Sequence, residues 1–136
     1  MLPDPKAELT REWLLVASED LRLAELAKSA DAPLLSGAVY HCQQAFEKAL
    51  KAFLVWHGRP IQRTHALPEL VALCQQIDLA FSSLAVAAAR VTPYGVAFRY
   101  PPIVARPSES DATEALDLTR QAVTFVLARL PDDVRP

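Results

Sequence analysis

Glycine is scarce in this 136-residue chain, with three residues at positions 37, 58 and 95. Glycines so scattered exclude the phosphate-cradling loops that need several close together. They also leave few places where the backbone must turn left-handed. Cysteine is scarcer still, with two residues. Cys42 and Cys74 lie inside helical patterns without a second metal-type pair, which reads as free thiols in a cytoplasmic protein rather than a disulfide or zinc site. No cluster of His, Asp and Glu has metal-ligand spacing, so neither a metal nor a cofactor is expected. No serine or cysteine nucleophile occupies a recognisable setting. Long apolar runs are missing too. The longest, Leu79 to Val91, contains Ser82, Ser83 and Arg90 and falls short of the roughly 20 residues of a membrane-spanning helix. The first residues lack a basic stretch followed by an apolar one, so no secretory signal is expected.

What is present suits one globular domain over residues 1–136: 51% hydrophobic and 22% charged residues, enough to bury a core. A net charge of −2 argues against a nonspecific polyanion binder. The charge is nevertheless uneven. Residues 1–31 carry four basic and seven acidic side chains, whereas residues 41–65 carry four basic ones against Glu47 alone. The second stretch also holds all three histidines, His41, His57 and His65. An anionic ligand is expected there first, although a solvated basic face would have the same composition.

Hydrophobic spacing predicts helices and no strand. Asp4 and Pro5 mark the start of a first helix to about Ser29, with Leu9, Trp13, Val16, Ala17, Leu21, Ala24 and Ala27 inward. The longest helix is expected over about 34–57, with Cys42, Phe46, Ala49, Leu50, Phe53 and Trp56 buried, and Gly58 and Pro60 ending it. Thr64 is the expected cap of a third helix to about Ile77, with Asp78 breaking it or capping the next element. A short, almost uncharged fourth helix spans about 80–91. A turn at Thr92-Pro93-Tyr94 comes next, then an extended loop through Phe98 to Pro102. Ser108 and Asp111 then form a capping-box start for a last helix to about Leu130. The expected fold is all-α, an antiparallel bundle of four to five helices.

His41, Gln44, Lys48 and Lys51 recur at steps of three, four and three, which places them in one row on the long helix. An imidazole, an amide and two ammonium groups so aligned can hold phosphates and a base edge. Glu47 can pair with Lys51, and the row can equally be a solvated face. Arg99 and Tyr100 admit two readings as well: a phosphate clamp with a stacking ring, or a turn that pins the loop before the last helix.

The run from Ala38 to Leu54, including Tyr40-His-Cys-Gln-Gln and Ala45-Phe-Glu-Lys-Ala-Leu-Lys, is followed by Gly58 and by Thr64-His65-Ala66-Leu67. With Arg99-Tyr100-Pro101, it resembles the HEPN family of nucleotide-binding and RNase-related helical domains, over about residues 8–130. The resemblance implies a small helical homodimer, in many members an RNase or toxin encoded beside a nucleotidyltransferase antidote. RNase members of that family carry an arginine followed four to six residues later by histidine, near a late helix. Here no histidine follows Arg99 anywhere. The one formal match, Arg59 with His65, lies in the loop between the second and third helices. The expectation is therefore a non-catalytic module for a nucleotide- or RNA-like ligand, with a possible nucleotidyltransferase partner and ligand contacts at His41, Gln44, Lys48, Lys51, Arg99 and Tyr100. The alternatives are a metal-independent RNase toxin with a displaced site drawn from His41, His65 and Arg59, or a purely structural dimeric subunit.

Overall fold

The computed structural model describes residues 4–136. The Asp4 carboxylate accepts from the Lys6 amide at 3.0 Å and starts α1 (Pro5–Ser29), with Pro5 in the first helical position, where its missing N–H costs nothing. After a short break comes α2 (Leu35–Trp56), which at 22 residues is shorter than the 25-residue α1 and so is not the longest helix expected from the spacing. Its end is a full left-handed cap: Gly58 adopts φ 71°, its amide bonds the Val55 carbonyl, and the Arg59 amide bonds that of Leu54. The third helix, α3 (Leu67–Gln75), begins one or two residues later than the expected start at His65 or Ala66. The Thr64 hydroxyl does accept from the Ala66 amide at 3.1 Å, but it donates to Glu69, and the Leu67 amide is taken by the Thr92 hydroxyl at 3.0 Å. The cap at the helix start is thus supplied from a distant turn.

The fourth expected helix divides into a 3₁₀ turn (Leu79–Leu84) and α4 (Ala85–Val91). Asp78 caps the turn through the Ala80 amide, and the weak helix formers Ser82 and Ser83 occupy its middle. A second 3₁₀ turn, Thr92–Gly95, leads into an irregular stretch, and α5 (Glu109–Leu127) opens with the complete Ser108/Asp111 capping box.

The five helices form an antiparallel bundle with α2 at its centre, packed against α1, α3 and α5. Phe46, Leu50 and Phe53 of α2 are buried, and Phe53, Phe81 and Phe125 join in an edge-to-tilted chain with centroids 4.4 and 5.0 Å apart. On α1 the buried face is Thr10, Leu14, Ala17, Asp20 and Ala24, rotated from the expected stripe, so that Val16 is exposed and Leu14 is not. Leu15, Leu23 and Leu26 are exposed as well, which blurs the periodicity. Trp13 lies against the core with its Nε1 buried and without a hydrogen-bond partner among the described residues, and its ring centroid is 5.8 Å from Lys51 Nζ. Trp56 at the end of α2 is covered by Lys6 at 4.3 Å. Among the described residues no helix is long and apolar enough to cross a membrane.

Candidate functional site

The row predicted on α2 does not stay one exposed row. At about 100° per residue, His41 and Lys48 fall toward α1, and Gln44 and Lys51 fall about a sixth of a turn away. Asp20 of α1, buried at the interface, takes the first two: His41 Nδ1 lies 2.8 Å from one carboxylate oxygen and Lys48 Nζ 2.7 Å from the other. Lys51 is buried and donates at 2.9 Å to Glu47, one turn back on the same helix. Of the four, Gln44 lines the cleft that opens above Gln43, and the other three are not among its lining residues.

Glu47 gathers groups from three directions. Its Oε2 is held by Lys51 and, at 3.0 Å, by His65 Nδ1, and its Oε1 accepts from the Gln43 amide at 3.2 Å. Burial alone would push this carboxyl up, but the hydrogen bonds from His65, Lys51 and Gln43 outweigh it and hold the group below its ordinary value of 4.5. Glu47 is therefore an anion at neutral pH. Gln43, fully buried, gives its second N–H to the His65 carbonyl at 3.0 Å and accepts from Gln44 at 2.7 Å. Both ends of its amide are used, so its orientation is fixed. Gly95 leans on the same amide: a Cβ there would meet Gln43 Cδ at 3.1 Å, closer than ordinary contact.

Above Gln43 opens a cleft of about 370 Å³ lined by Tyr40, Gln44, His65, Thr92, Val96 and Arg99 among others. Its walls are α2, the start of α3 and the Thr92–Gly95 turn, joined by the Gln43 and Thr92 hydrogen bonds. The His65 side chain is 76% exposed although its Nδ1 is anchored on the floor. Opposite stands Arg99, its guanidinium 4.3 Å from the Tyr40 ring centroid and 5.7 Å from that of Tyr100. The Tyr40 ring is near enough for a cation–π contact, and the guanidinium N–H donors remain exposed. One of these reaches the Gly95 carbonyl at 3.4 Å, and among the described residues no carboxylate pairs with Arg99. Phe98, immediately before it, holds φ 67°, a left-handed conformation rare for a bulky residue. Strain of this kind, of order 1–3 kcal/mol, tends to collect at functional sites.

Gln44 and Arg99 of the expected ligand residues thus share one cleft, with Tyr100 flanking Arg99 from an exposed position. Arg59 and His65 do not meet in it: Arg59 lines a separate hollow with Leu54, Pro60 and Leu73. His57 sits elsewhere as well, tilted on Phe53 at 4.4 Å. Sequence reasoning missed Asp20, Glu47 as an organiser, and Thr92. The usable signals were the three- and four-residue spacing of Asp20 from the buried Ala17 and Ala24, and the i,i+4 spacing of Glu47 and Lys51. Among the described residues no group of three His, Cys, Asp or Glu side chains can hold a metal ion. Burial pushes both cysteine thiols up to about 12, so neither is a nucleophile at neutral pH.

This fold has known counterparts. TT1696 from Thermus thermophilus, a crystal structure, superposes with a TM-score of 0.77 at 30% identity, over 90% of this chain and 99% of that one. ST0689, described as an archaeal HEPN homologue, superposes at 0.69 with 24% identity, over 88% and 96% of the two chains, which bears on the fold alone. No curated protein matches the chain. The family model of the HEPN domain matches residues 10–130. An all-helical bundle centred on α2, with that match across nearly its whole length, places the chain in the HEPN domain family.

Proposed function

We propose that the chain is a binding module for a nucleotide- or RNA-related anion, and that the ligand sits in the cleft between α2, the start of α3 and the Thr92–Gly95 turn. The observation that carries this reading is Arg99, an exposed cation of the cleft whose guanidinium lies 4.3 Å from the Tyr40 ring centroid, with no carboxylate partner among the described residues. An arginine fixed in this way meets a phosphate oxygen with little ordering cost. Gln44 and the Tyr40 hydroxyl supply hydrogen bonds for the remainder of the ligand, and Tyr100 extends the stacking surface. Lys51 supports the cleft from behind through Glu47, whereas His41 and Lys48 are taken up by Asp20 between α1 and α2. Work as a homodimer beside a nucleotidyltransferase partner, in a toxin–antitoxin pair, belongs to the same proposal and rests on family membership.

The test is native mass spectrometry of gently purified protein, followed by titration of nucleotides and short RNA into wild type and Arg99→Glu. A nucleotide-sized adduct, and binding lost in the variant with helicity intact, is the expected result. Equal binding by both proteins would sink the assigned cleft. A second reading has one observation in its favour: Glu47 orients His65 as a carboxylate orients a catalytic imidazole. As a metal-independent RNase, the protein would cleave RNA and lose that activity in His65→Ala. RNA left intact by wild type after long incubation removes this reading.

A further inference from the structure

The charges around the cleft cancel in a way that selects among phosphates. On its floor Glu47 and Lys51 neutralise each other at 2.9 Å. Of the lining residues only Arg99 and His65 can carry charge at neutral pH, and both are cationic when they do. With His65 neutral, the cleft therefore offers a single positive charge.

The hydrogen bonding of His65 sharpens this. Glu47 is ionised and accepts only, so His65 Nδ1 must carry a proton to stand 3.0 Å from it. A neutral imidazole has one N–H. With that N–H committed to the floor, Nε2 on the exposed edge presents a lone pair, which cannot donate to a phosphate oxygen. Only the imidazolium can do so, and histidine is the side chain that gains its charge near neutral pH. The groups facing His65 are Glu47 and, through the same oxygen, Lys51 from α2; Tyr40 also from α2; Thr64, bound to Glu69, beside it; and Arg99 across the cleft. A ligand with two negative charges brings to the free Nε2 edge an acceptor that a neutral ring, its N–H committed to Glu47, cannot serve.

We infer that the cleft is selective for a terminal phosphate, a phosphomonoester dianion, over a phosphodiester, and that binding draws a proton onto His65. This rests on the anion-binding reading above. A diester, with one negative charge, is matched by Arg99 alone and needs no proton. A monoester, with two, is matched by the guanidinium edge and an imidazolium Nε2–H. The proton comes from solvent, and no bond of the ligand is made or broken.

Isothermal titration calorimetry on the full chain tests this with AMP as the monoester and 3′,5′-cyclic AMP as the diester. AMP is expected to bind roughly tenfold more tightly at pH 7 than at pH 9, a range in which its phosphate stays dianionic. At pH 8 its binding enthalpy should vary with the ionisation enthalpy of the buffer in the direction of proton uptake. Cyclic AMP should bind more weakly and with no dependence on pH. His65→Gln should abolish the proton uptake and level AMP with cyclic AMP. AMP binding without proton uptake by wild type, or the same pH dependence for cyclic AMP, overturns this inference while the anion-binding reading stands. If neither compound binds wild type at any pH, both fall together.

Discussion

Asp20 and Glu47 each hold one lysine and one histidine, yet they stand in different surroundings. Asp20 joins two helices, and its partners Lys48 and His41 keep 21% and 29% of their side-chain surface in water. Glu47 lies within one helix, its lysine 6% exposed, and only its histidine reaches out. The first set fastens α1 to α2. The second supports a cleft and leaves one titratable edge free. The difference lies in what surrounds each imidazole: His65 lines the cleft together with Arg99, whereas His41 is not among the residues lining that cleft.

The comparison breaks most sharply at Glu47. Glu47→Ala leaves the Lys51 ammonium buried without a counter-charge and should cost about 3–5 kcal/mol, read from urea denaturation. Because the folded Glu47 carboxyl titrates below its ordinary value, its stabilisation is fully present above about pH 4.5 and is lost as the pH falls through the lower folded value. Urea midpoints measured from pH 6 down to pH 2.5 should therefore decline less steeply in Glu47→Gln than in wild type. A parallel decline would show that Glu47 is not held ionised by its partners. Asp20→Ala should cost less, about 1–3 kcal/mol, since both its partners can turn to water. A larger loss than at Glu47 would reverse the ranking of the two carboxylates. Lys48→Met is the smallest change, below about 1 kcal/mol, because His41 still holds Asp20 and a partly exposed pair contributes little. Thermal melts of this variant beside Lys51→Met should separate the two lysines, with Lys51→Met the less stable.

Much of the fold was legible in the sequence because its signals are local. Asp4 with Pro5, Ser108 with Asp111, and Gly58 are caps whose partners lie within a few residues, and each appears as expected. The central stripe of α2 was readable for the same reason. The candidate site was legible in part: Gln44 and Arg99 were singled out, and the basic segment carrying His65 was the place to look. Its remaining arrangement depends on how helices rotate against each other. The acidic balance of residues 1–31 and the basic balance of residues 41–65 look like a ligand signal, but Asp20, His41 and Lys48 show that part of this asymmetry is α1 complementing α2. Nothing near Thr92 announces that its hydroxyl caps a helix 25 residues earlier. A positive φ at Phe98 likewise has no sequence signature, since glycine or asparagine is the usual occupant.

The surroundings of the two indoles, Trp13 and Trp56, give the molecule its own optical reporter. The Trp13 ring lies 5.8 Å from the ammonium that neutralises Glu47, and its N–H has no hydrogen-bond partner among the described residues. Excitation of an indole moves electron density across the ring, so a nearby charge shifts the colour of its emission. In Trp56→Phe the indole fluorescence comes from Trp13 alone. If a ligand brings a proton to His65 as proposed, the charge at the Glu47 oxygen shared with Lys51 changes, and occupancy of the cleft is expected to register as a spectral shift, without a label on the protein or on the ligand.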